Sequence, residues 1–453
     1  MSARRANLLS AAGSGFRSDR RGRAPRSKLL SACALCILSG SVLAEGESPN
    51  QGVLGDWGAL RTQLYQEGVD FQLGFTTEAA YNTQGGDRHL LSNADQATLG
   101  TTLDLNRLFG WADSKIQITA TYRSGGNLSE DARLGTLQQV QEIYGRGQTW
   151  RWTQFWYDGA FFDRVLDLKF GRMGVGEDFF AFPCAFQNLS FCGSLPGNIV
   201  SDWYNWPVSQ WGTRIRVNPQ PEWYGQLGIY QINPNYLSRD EAFRLNDPPG
   251  TIGALIPLEV GWLPNLGPGG LPGSYRVGVW YDTSEQPDVF TAADHAPLAV
   301  SPGVAPLERR GEKGAYLMFM QQLHGPADGG AGALSVFLNV VQADKHTAAI
   351  DQLFSIGLTL KGPLTSRPQD DIGFAVGRTH VNSRVADGDY LESELEGTNL
   401  PIPGSEYPVE FYYTYNATSW LSLRPNIQYI GQPGGIRQSR DVVVLGLKGS
   451  IKF

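Results

Sequence analysis

Residues 69–82 read Val69-Asp70-Phe71-Gln72-Leu73-Gly74-Phe75-Thr76-Thr77-Glu78-Ala79-Ala80-Tyr81-Asn82. Phe71, Leu73, Phe75, Thr77, Ala79 and Tyr81 fall on one parity. Gln72, Gly74, Thr76, Glu78, Ala80 and Asn82 fall on the other. A period of two is that of a strand whose faces meet different surroundings. Residues 98–106 repeat it, with Leu99, Leu103 and Leu105 opposite Asp104 and Asn106. Residues 115–123 set Ile116, Ile118, Ala120 and Tyr122 against Gln117, Thr119, Thr121 and Arg123.

The same pattern predicts sixteen strands, near 69–82, 98–107, 114–123, 150–162, 165–173, 209–218, 223–233, 257–264, 274–284, 314–324, 331–343, 351–361, 371–381, 406–417, 420–432 and 440–453. Most match the ~9–11 residues that a tilted strand needs to cross a bilayer. Three of them, 150–162, 223–233 and 314–324, alternate poorly. The connections also alternate. Some are short, as in Phe162-Asp163-Arg164 and Ala417-Thr418-Ser419; others are long, at 124–149, 174–208, 285–313 and 382–405. Short turns at one end and long loops at the other are the habit of outer-membrane barrels. The last segment alternates up to Phe453. The expected fold is therefore all-β: a 16-stranded antiparallel transmembrane β-barrel over 69–453. The one helical candidate is 56–67, in a periplasmic segment spanning 45–68. A soluble sandwich or propeller also alternates, but its apolar face fills a core. Here that face is rich in Tyr, Trp and Phe near strand ends, as lipid-interface girdles are, and no propeller repeat of ~40–50 residues is visible.

Composition narrows the function. Residues 1–44 carry eight Lys/Arg and one Asp; the remaining 409 residues carry 29 basic and 43 acidic side chains. An acidic body without basic blocks is a poor partner for nucleic acid. No apolar run of ~18 residues follows residue 44, which excludes helical spans but not strands. The basic stretch 17–28, the apolar run 29–43 and Val42-Leu43-Ala44 form a three-part export signal, cleaved after Ala44. The true start could lie after Met1, and Leu30-Ser31-Ala32-Cys33 mimics a lipoprotein box placed too early in the apolar run. Cys33 and Cys36 leave with the signal. Cys184 and Cys192 remain, and an exported protein with two close cysteines is expected to join them; two free buried thiols are the alternative. Two Cys with no His nearby make no metal site, and no cofactor motif is present.

Several stretches resemble the carbohydrate-selective porins of the OprB type. They are Gly55-Asp56-Trp57-Gly58-Ala59-Leu60-Arg61, Asp167-Leu168-Lys169-Phe170-Gly171-Arg172-Met173, Phe191-Cys192-Gly193-Ser194-Leu195-Pro196-Gly197-Asn198, 203–211, 420–429 and Pro433-Gly434-Gly435. Ala59 departs from the family, which more often has Gly there. The resemblance implies a bacterial outer-membrane barrel that admits glucose and other sugars by passive diffusion. Its partners are then small saccharides, outer-membrane lipid and the barrel-assembly machinery, and it leans towards a monomer or weak homo-oligomer.

A sugar passage needs charged or amide groups to replace water and aromatic faces to stack on, and it must bind weakly to let the solute leave. The inward parity offers the acids Glu78, Asp104, Asp158, Glu259, Asp282 and Glu410. It offers the bases Arg123, Lys169, Arg214, Arg216, Arg276 and Arg424, together with Trp156 and Trp280. Arginine suits paired hydroxyls, since its fork carries fixed donors and permanent charge. Arg123 stands out, ending a strand just before Gly125-Gly126. Any one inward polar residue also fits plain wall lining. The Cys-bearing loop 174–208 is the expected constriction. An exported glycoside hydrolase needs only two carboxylates at the right separation, and nucleophile-elbow, Walker and HExxH patterns are absent. A plugged, non-conducting barrel is the third alternative.

Overall fold

In a bilayer every backbone N–H and C=O must find a partner within the protein, so a sheet that crosses it has to close. The computed structural model, which describes residues 52–453, shows such a closure. The strands are β1 (Val69–Gln84), β2 (Leu91–Asp104), β3 (Ser114–Gly125), β4 (Trp150–Phe161), β5 (Leu166–Met173), β6 (Gln210–Gln220), β7 (Trp223–Ile232), β8 (Gly253–Trp262), β9 (Leu271–Ala292), β10 (Pro306–His324), β11 (Leu334–Gln342), β12 (Ile350–Lys361), β13 (Asp371–Val381), β14 (Ser405–Asn416), β15 (Leu421–Gly431) and β16 (Val442–Lys452). Each pairs antiparallel with the next. β16 returns to β1, with Gly74 opposite Lys452 and Asn82 opposite Val444. A two-residue pairing, Asn265–Leu266 with the start of β9, decorates the β8–β9 turn.

The outward parity is apolar, with aromatic residues gathered in rows. Trp223 stacks on Trp262 at 5.6 Å, Trp262 meets Tyr275 at 5.3 Å, and Tyr275 meets Phe319 at 5.6 Å. These side chains sit opposite one another in register on β7 to β10. Such a row marks the level where lipid meets water.

Two expectations about connections change. Residues 285–313 are largely strand, because β9 and β10 continue past the barrel as a hairpin with irregular register after Asp282 and Pro287. Its buried residues, Asp288, Val289 and Ala292, do not fall on one parity, so no clean alternation marks it. The connection 382–405 contains a helix, α3 (Ser383–Glu396), that apolar periodicity does not reveal. Its ends are legible instead: the Asn382 side chain accepts from the Arg384 N–H, and Gly397 at φ 62° ends it. The first helix, α1 (Leu60–Glu67), lies within the expected 56–67. It starts at Ala59, which holds φ 76°. That left-handed conformation favours Gly, which is what the family more often has there. Arg61 on α1 donates to the carbonyls of Phe453 (2.7 Å) and Phe71 (3.0 Å), bridging the β16–β1 seam. The export signal at 1–44 lies outside the described residues.

The lumen is filled unevenly: a small apolar cluster sets Leu128, Leu134 and Val140 of the β3–β4 connection against Ala80, Ile430, Val442 and Val444, and the larger filling lies elsewhere. The segment 174–209 turns inward and buries Phe179, Phe180, Phe182, Phe186, Phe191, Leu195 and Trp203. It packs them against inward Tyr230, Trp280, Tyr316, Met318, Phe337, Leu353 and Tyr412 from β7 to β14. Glycines on that wall make room for rings. A Cβ at Gly278 would stand 2.1 Å from the Tyr316 ring, and one at Gly314 would stand 2.1 Å from the Trp280 ring. Tyr, Met and Gly on the inward parity explain why 223–233 and 314–324 fail to alternate. For 150–162 the cause is different: a bulge opposite Thr119 and Ala120 shifts the register of β4.

Candidate functional site: the constriction of the lumen

The inward carboxylates mostly hold the inner loops. Glu410 accepts from the backbone N–H groups of Gln187 (2.8 Å) and Asn188 (2.7 Å). Glu259 accepts from the Phe180 N–H (3.1 Å) and from the hydroxyls of Tyr224 (2.7 Å) and Tyr316 (2.8 Å). Glu406 accepts from Leu137 (2.7 Å) and Gly434 (3.0 Å). Glu78 accepts from Ile143 (3.2 Å) and pairs with Lys448 at 3.0 Å. All four are essentially inaccessible to solvent. A buried carboxylate with two or three N–H donors is satisfied. These acids, of which Glu78, Glu259 and Glu410 are expected from parity to face sugar, are instead anchors for loop backbone.

A second group lies on β4, β5 and β6. Lys169 pairs with Glu177 (3.2 Å) and Asp178 (3.0 Å) of the inner loop and sits 4.3 Å over the Trp156 ring. The Trp156 indole N–H donates to Glu177 at 3.0 Å. Arg214 reaches Asp158 (3.4 Å), Asp167 and Asp178 (3.6 Å). Burial pushes the Asp178 carboxyl up, but Lys169 and Arg214 beside it prevail and hold it below the usual carboxylate range. Trp156, Asp158 and Arg214 thus belong to one network that ties the loop to the wall. Arg216 stacks over Tyr224 at 3.7 Å. Arg424 donates to the carbonyl of Ala185 and lies 4.6 Å over Tyr412.

Two expected lining residues serve elsewhere. Asp104 stands at the end of β2, where its carboxylate accepts from the N–H groups of Asn106 and Arg107 and caps the short helix α2 (Leu105–Phe109). Parity alone could not foresee this, because the strand ends there. Trp280 is 2% exposed, edge-on to Trp203 at 5.6 Å, inside the loop core.

What is left open lies between the inner loops and the polar wall of β2 to β4. A cavity of about 170 Å³ there is lined by Gln96, Arg123, Glu142, Tyr144, Arg146, Glu177, Asn205 and Trp206, among others. Arg123 donates through Nε to Gln96 at 2.8 Å, and the Trp206 indole N–H donates to the same oxygen at 3.1 Å. Glu142 pairs with Lys448 at 2.7 Å. The Cys184–Cys192 bridge, with Cα atoms 4.2 Å apart, forms part of the lining. Glu142 lies close to both sulfurs, but sulfurs joined to each other are not thiolate ligands. Arg123 is the one residue of the expected set in this cavity. Gln96 and Lys448 share the inward parity and were overlooked. Glu142, Arg146, Glu177 and Trp206 come from loops, where no period betrays them.

The arrangement offers donors, acceptors and an aromatic face to a small polar solute. It shows no pairing of a nucleophile with a base of the kind a hydrolase needs. Comparison with known proteins agrees. The pattern of the family described as "Carbohydrate-selective porin, OprB family" matches residues 88–453. The chain is 42% identical over 431 residues to Porin B of Pseudomonas aeruginosa, covering 92% of this chain and 94% of that protein. It is 39% identical over 423 residues to a putative porin, QuiX, of Acinetobacter baylyi, covering 89% and 93%. The high-pH structure of Pseudomonas putida OprB superposes with a TM-score of 0.86 at 41% identity, covering 90% of this chain and 99% of that one. These relatives are channels rather than enzymes, and the chain belongs to the OprB family of carbohydrate-selective porins.

Proposed function

We propose that this porin lets glucose and related small sugars diffuse passively across the outer membrane along an off-centre path. The path runs beside the polar wall of β2 to β6, and it is narrowest at the cavity that Arg123 lines. The observation that carries this reading is the division of the lumen: loop core on one side, charged and amide groups on the other. A sugar passing Arg123 gives up hydrogen bonds to water. The guanidinium and Gln96 replace some of them, and the Trp206 ring offers a stacking face. A charge-assisted hydrogen bond contributes roughly 1.5–3 kcal/mol, enough to favour residence without stopping flow. Export through a signal cleaved after Ala44, contact with outer-membrane lipid, insertion by the barrel-assembly machinery and a monomeric or weakly associated state all belong to the same reading.

The test is glucose block of ion current across a planar bilayer, together with uptake at limiting sugar. Arg123→Ala is expected to weaken both. Arg216→Ala, which removes a side chain stacked on Tyr224, is expected to change block less than twofold. Unchanged block in Arg123→Ala, with block abolished in Arg216→Ala, would put the sugar on the wrong stretch of wall.

A further inference from the structure

The Cys184–Cys192 bridge stands in the wall of the cavity, beside Glu142. The two sulfurs and a Glu142 oxygen all lie within 4.8 Å of one another, the one group of metal-binding side chains so close together among the described residues. Cys192 is buried and Cys184 is partly exposed. The turn that carries the sulfurs is held by contacts other than the bridge. Glu410 accepts from the N–H groups of Gln187 and Asn188 at 2.8 and 2.7 Å. The Asn198 amide donates to the carbonyls of Leu189 (3.0 Å) and Cys192 (3.3 Å). Phe186 and Phe191 are buried with their rings 5.4 Å apart. Opening the S–S bond therefore leaves the two sulfurs close together. Glu142 is fixed independently, accepting from the Lys448 ammonium at 2.7 Å. A carboxylate has two oxygens, so it can serve an ammonium and a metal ion at once. A tetrahedral Zn²⁺ takes sulfur at ~2.3 Å, which sets two ligating sulfurs ~3.8 Å apart. Cysteines whose Cα atoms are 4.2 Å apart reach that separation by side-chain rotation alone. Charge fits as well. Arg123 and Arg146 line the same cavity, and guanidiniums beside a thiol favour its thiolate. Two thiolates cancel the charge of a divalent ion, so the arginines do not face a bare dication.

We propose that Cys184, Cys192 and Glu142 form a latent metal site, opened by reduction of the bridge, that takes a thiophilic divalent cation such as Zn²⁺. The reductant is a small dithiol that enters through the lumen. Its first thiolate attacks one cysteine sulfur, forming a mixed disulfide and releasing the other cysteine; its second thiolate then closes the reductant's own disulfide and releases the first. Two electrons and two protons pass from the dithiol to the cysteines, and both thiol protons leave to solvent when the metal binds. Water takes the fourth coordination position. On the sugar path proposed above, an ion held here stands at the narrowest point, so occupancy lowers flow. Oxidation of the two thiols ejects the metal and restores the passage.

The experiment uses the porin with and without dithiothreitol, the reductant being removed under anaerobic conditions. Co²⁺ is the probe, because cobalt thiolates absorb strongly through ligand-to-metal charge transfer. The expected result is a single Co²⁺ per reduced chain with that absorption, displaced by Zn²⁺, and no such absorption in the oxidised protein. Glu142→Ala is expected to weaken Zn²⁺ binding by at least ~10-fold, the lower end of what loss of even an outer-shell partner costs a metal site, with both thiols still open to alkylation. The double variant Cys184→Ser, Cys192→Ser is expected to give no thiolate absorption in either state. Absence of the absorption from a reduced, heat-modifiable barrel whose two thiols alkylate overturns the proposal. So do a bridge that dithiothreitol does not open in the folded barrel, and an unchanged Zn²⁺ affinity in Glu142→Ala. In a planar bilayer, Zn²⁺ is expected to lower the conductance of the reduced channel and EDTA to restore it. Thiolate-bound Co²⁺ with conductance unchanged upholds the metal site and overturns instead the sugar path past Arg123, so the two readings fail separately.

Discussion

The two halves of the lumen wall use the same inward parity for opposite purposes. On β7 to β13 it carries Tyr230, Trp280, Tyr316, Met318, Phe337 and Leu353, and it grips an inner loop by its apolar side chains. On β2 to β6 it carries Gln96, Thr119, Thr121, Arg123, Lys169 and Arg214, polar side chains that are themselves buried; Gln96 and Arg123 line the cavity, and Lys169 and Arg214 pair with Asp178 of that loop. The inside of a barrel is thus not uniformly polar. One half behaves as the core of a soluble domain, which positions the loop, and the other half keeps the hydrogen-bonding groups the passage needs. The carboxylates sit at the boundary, where loop backbone needs acceptors.

The largest way to break this contrast is Trp203→Ala. Trp203 is fully buried, edge-on to Trp280 at 5.6 Å and Tyr316 at 6.1 Å. Truncating a buried Trp costs ~3–5 kcal/mol. The barrel closes through its own strands, so the loop should loosen while the barrel survives. Single-channel conductance is expected to rise and sugar block to fall, with heat-modifiable migration on gels unchanged. A smaller change is Glu410→Ala, which orphans the Gln187 and Asn188 N–H groups. Each unsatisfied donor costs ~1–3 kcal/mol. The expected outcome is faster amide hydrogen exchange over 185–190 and noisier open-channel current.

The smallest effect is conditional on pH. Burial, reinforced by neighbouring Asp282, pushes the Asp202 carboxyl of the inner loop up to about 7. An unfolded carboxyl titrates near 3.9. Docking of this loop therefore weakens as pH rises from ~4 to ~7 and levels off above, because the docked form favours the proton. Asp202→Asn removes that dependence. Exchange over 198–204 is expected to be slower than in the parent at pH 8 and equal to it at pH 4.

The barrel was legible because lipid imposes a strict period on the outward face. Phe71, Leu73 and Phe75 declare β1 without any knowledge of its neighbours. The loop core was less legible. Phe179, Phe186 and Trp203 carry no period, and their counterparts Tyr316 and Met318 erase the alternation of β10. The site was legible only at Arg123, where a strand residue reaches the constriction. Glu142, Arg146, Glu177 and Trp206 are brought there by chain folding over long separations, which a single sequence does not encode locally. Glu78 and Glu410 have the right parity and the wrong role, since parity tells which way a side chain points and not what the loops place in front of it.

Thiol accessibility tests the division of the wall most directly. Among the described residues the two cysteines are joined as Cys184–Cys192, so a single introduced cysteine in the barrel is the intended target. Thr102→Cys on β2 puts it on the polar half, and Ala375→Cys on β13 puts it under the loop core, at a residue that is fully buried. A charged, water-soluble methanethiosulfonate is then added to the open channel in a planar bilayer. The account predicts rapid reaction and a stepwise fall in current for Thr102→Cys, and no reaction at Ala375→Cys. Rapid modification of Ala375→Cys, with Thr102→Cys inert, would place the path on the other half and contradict it.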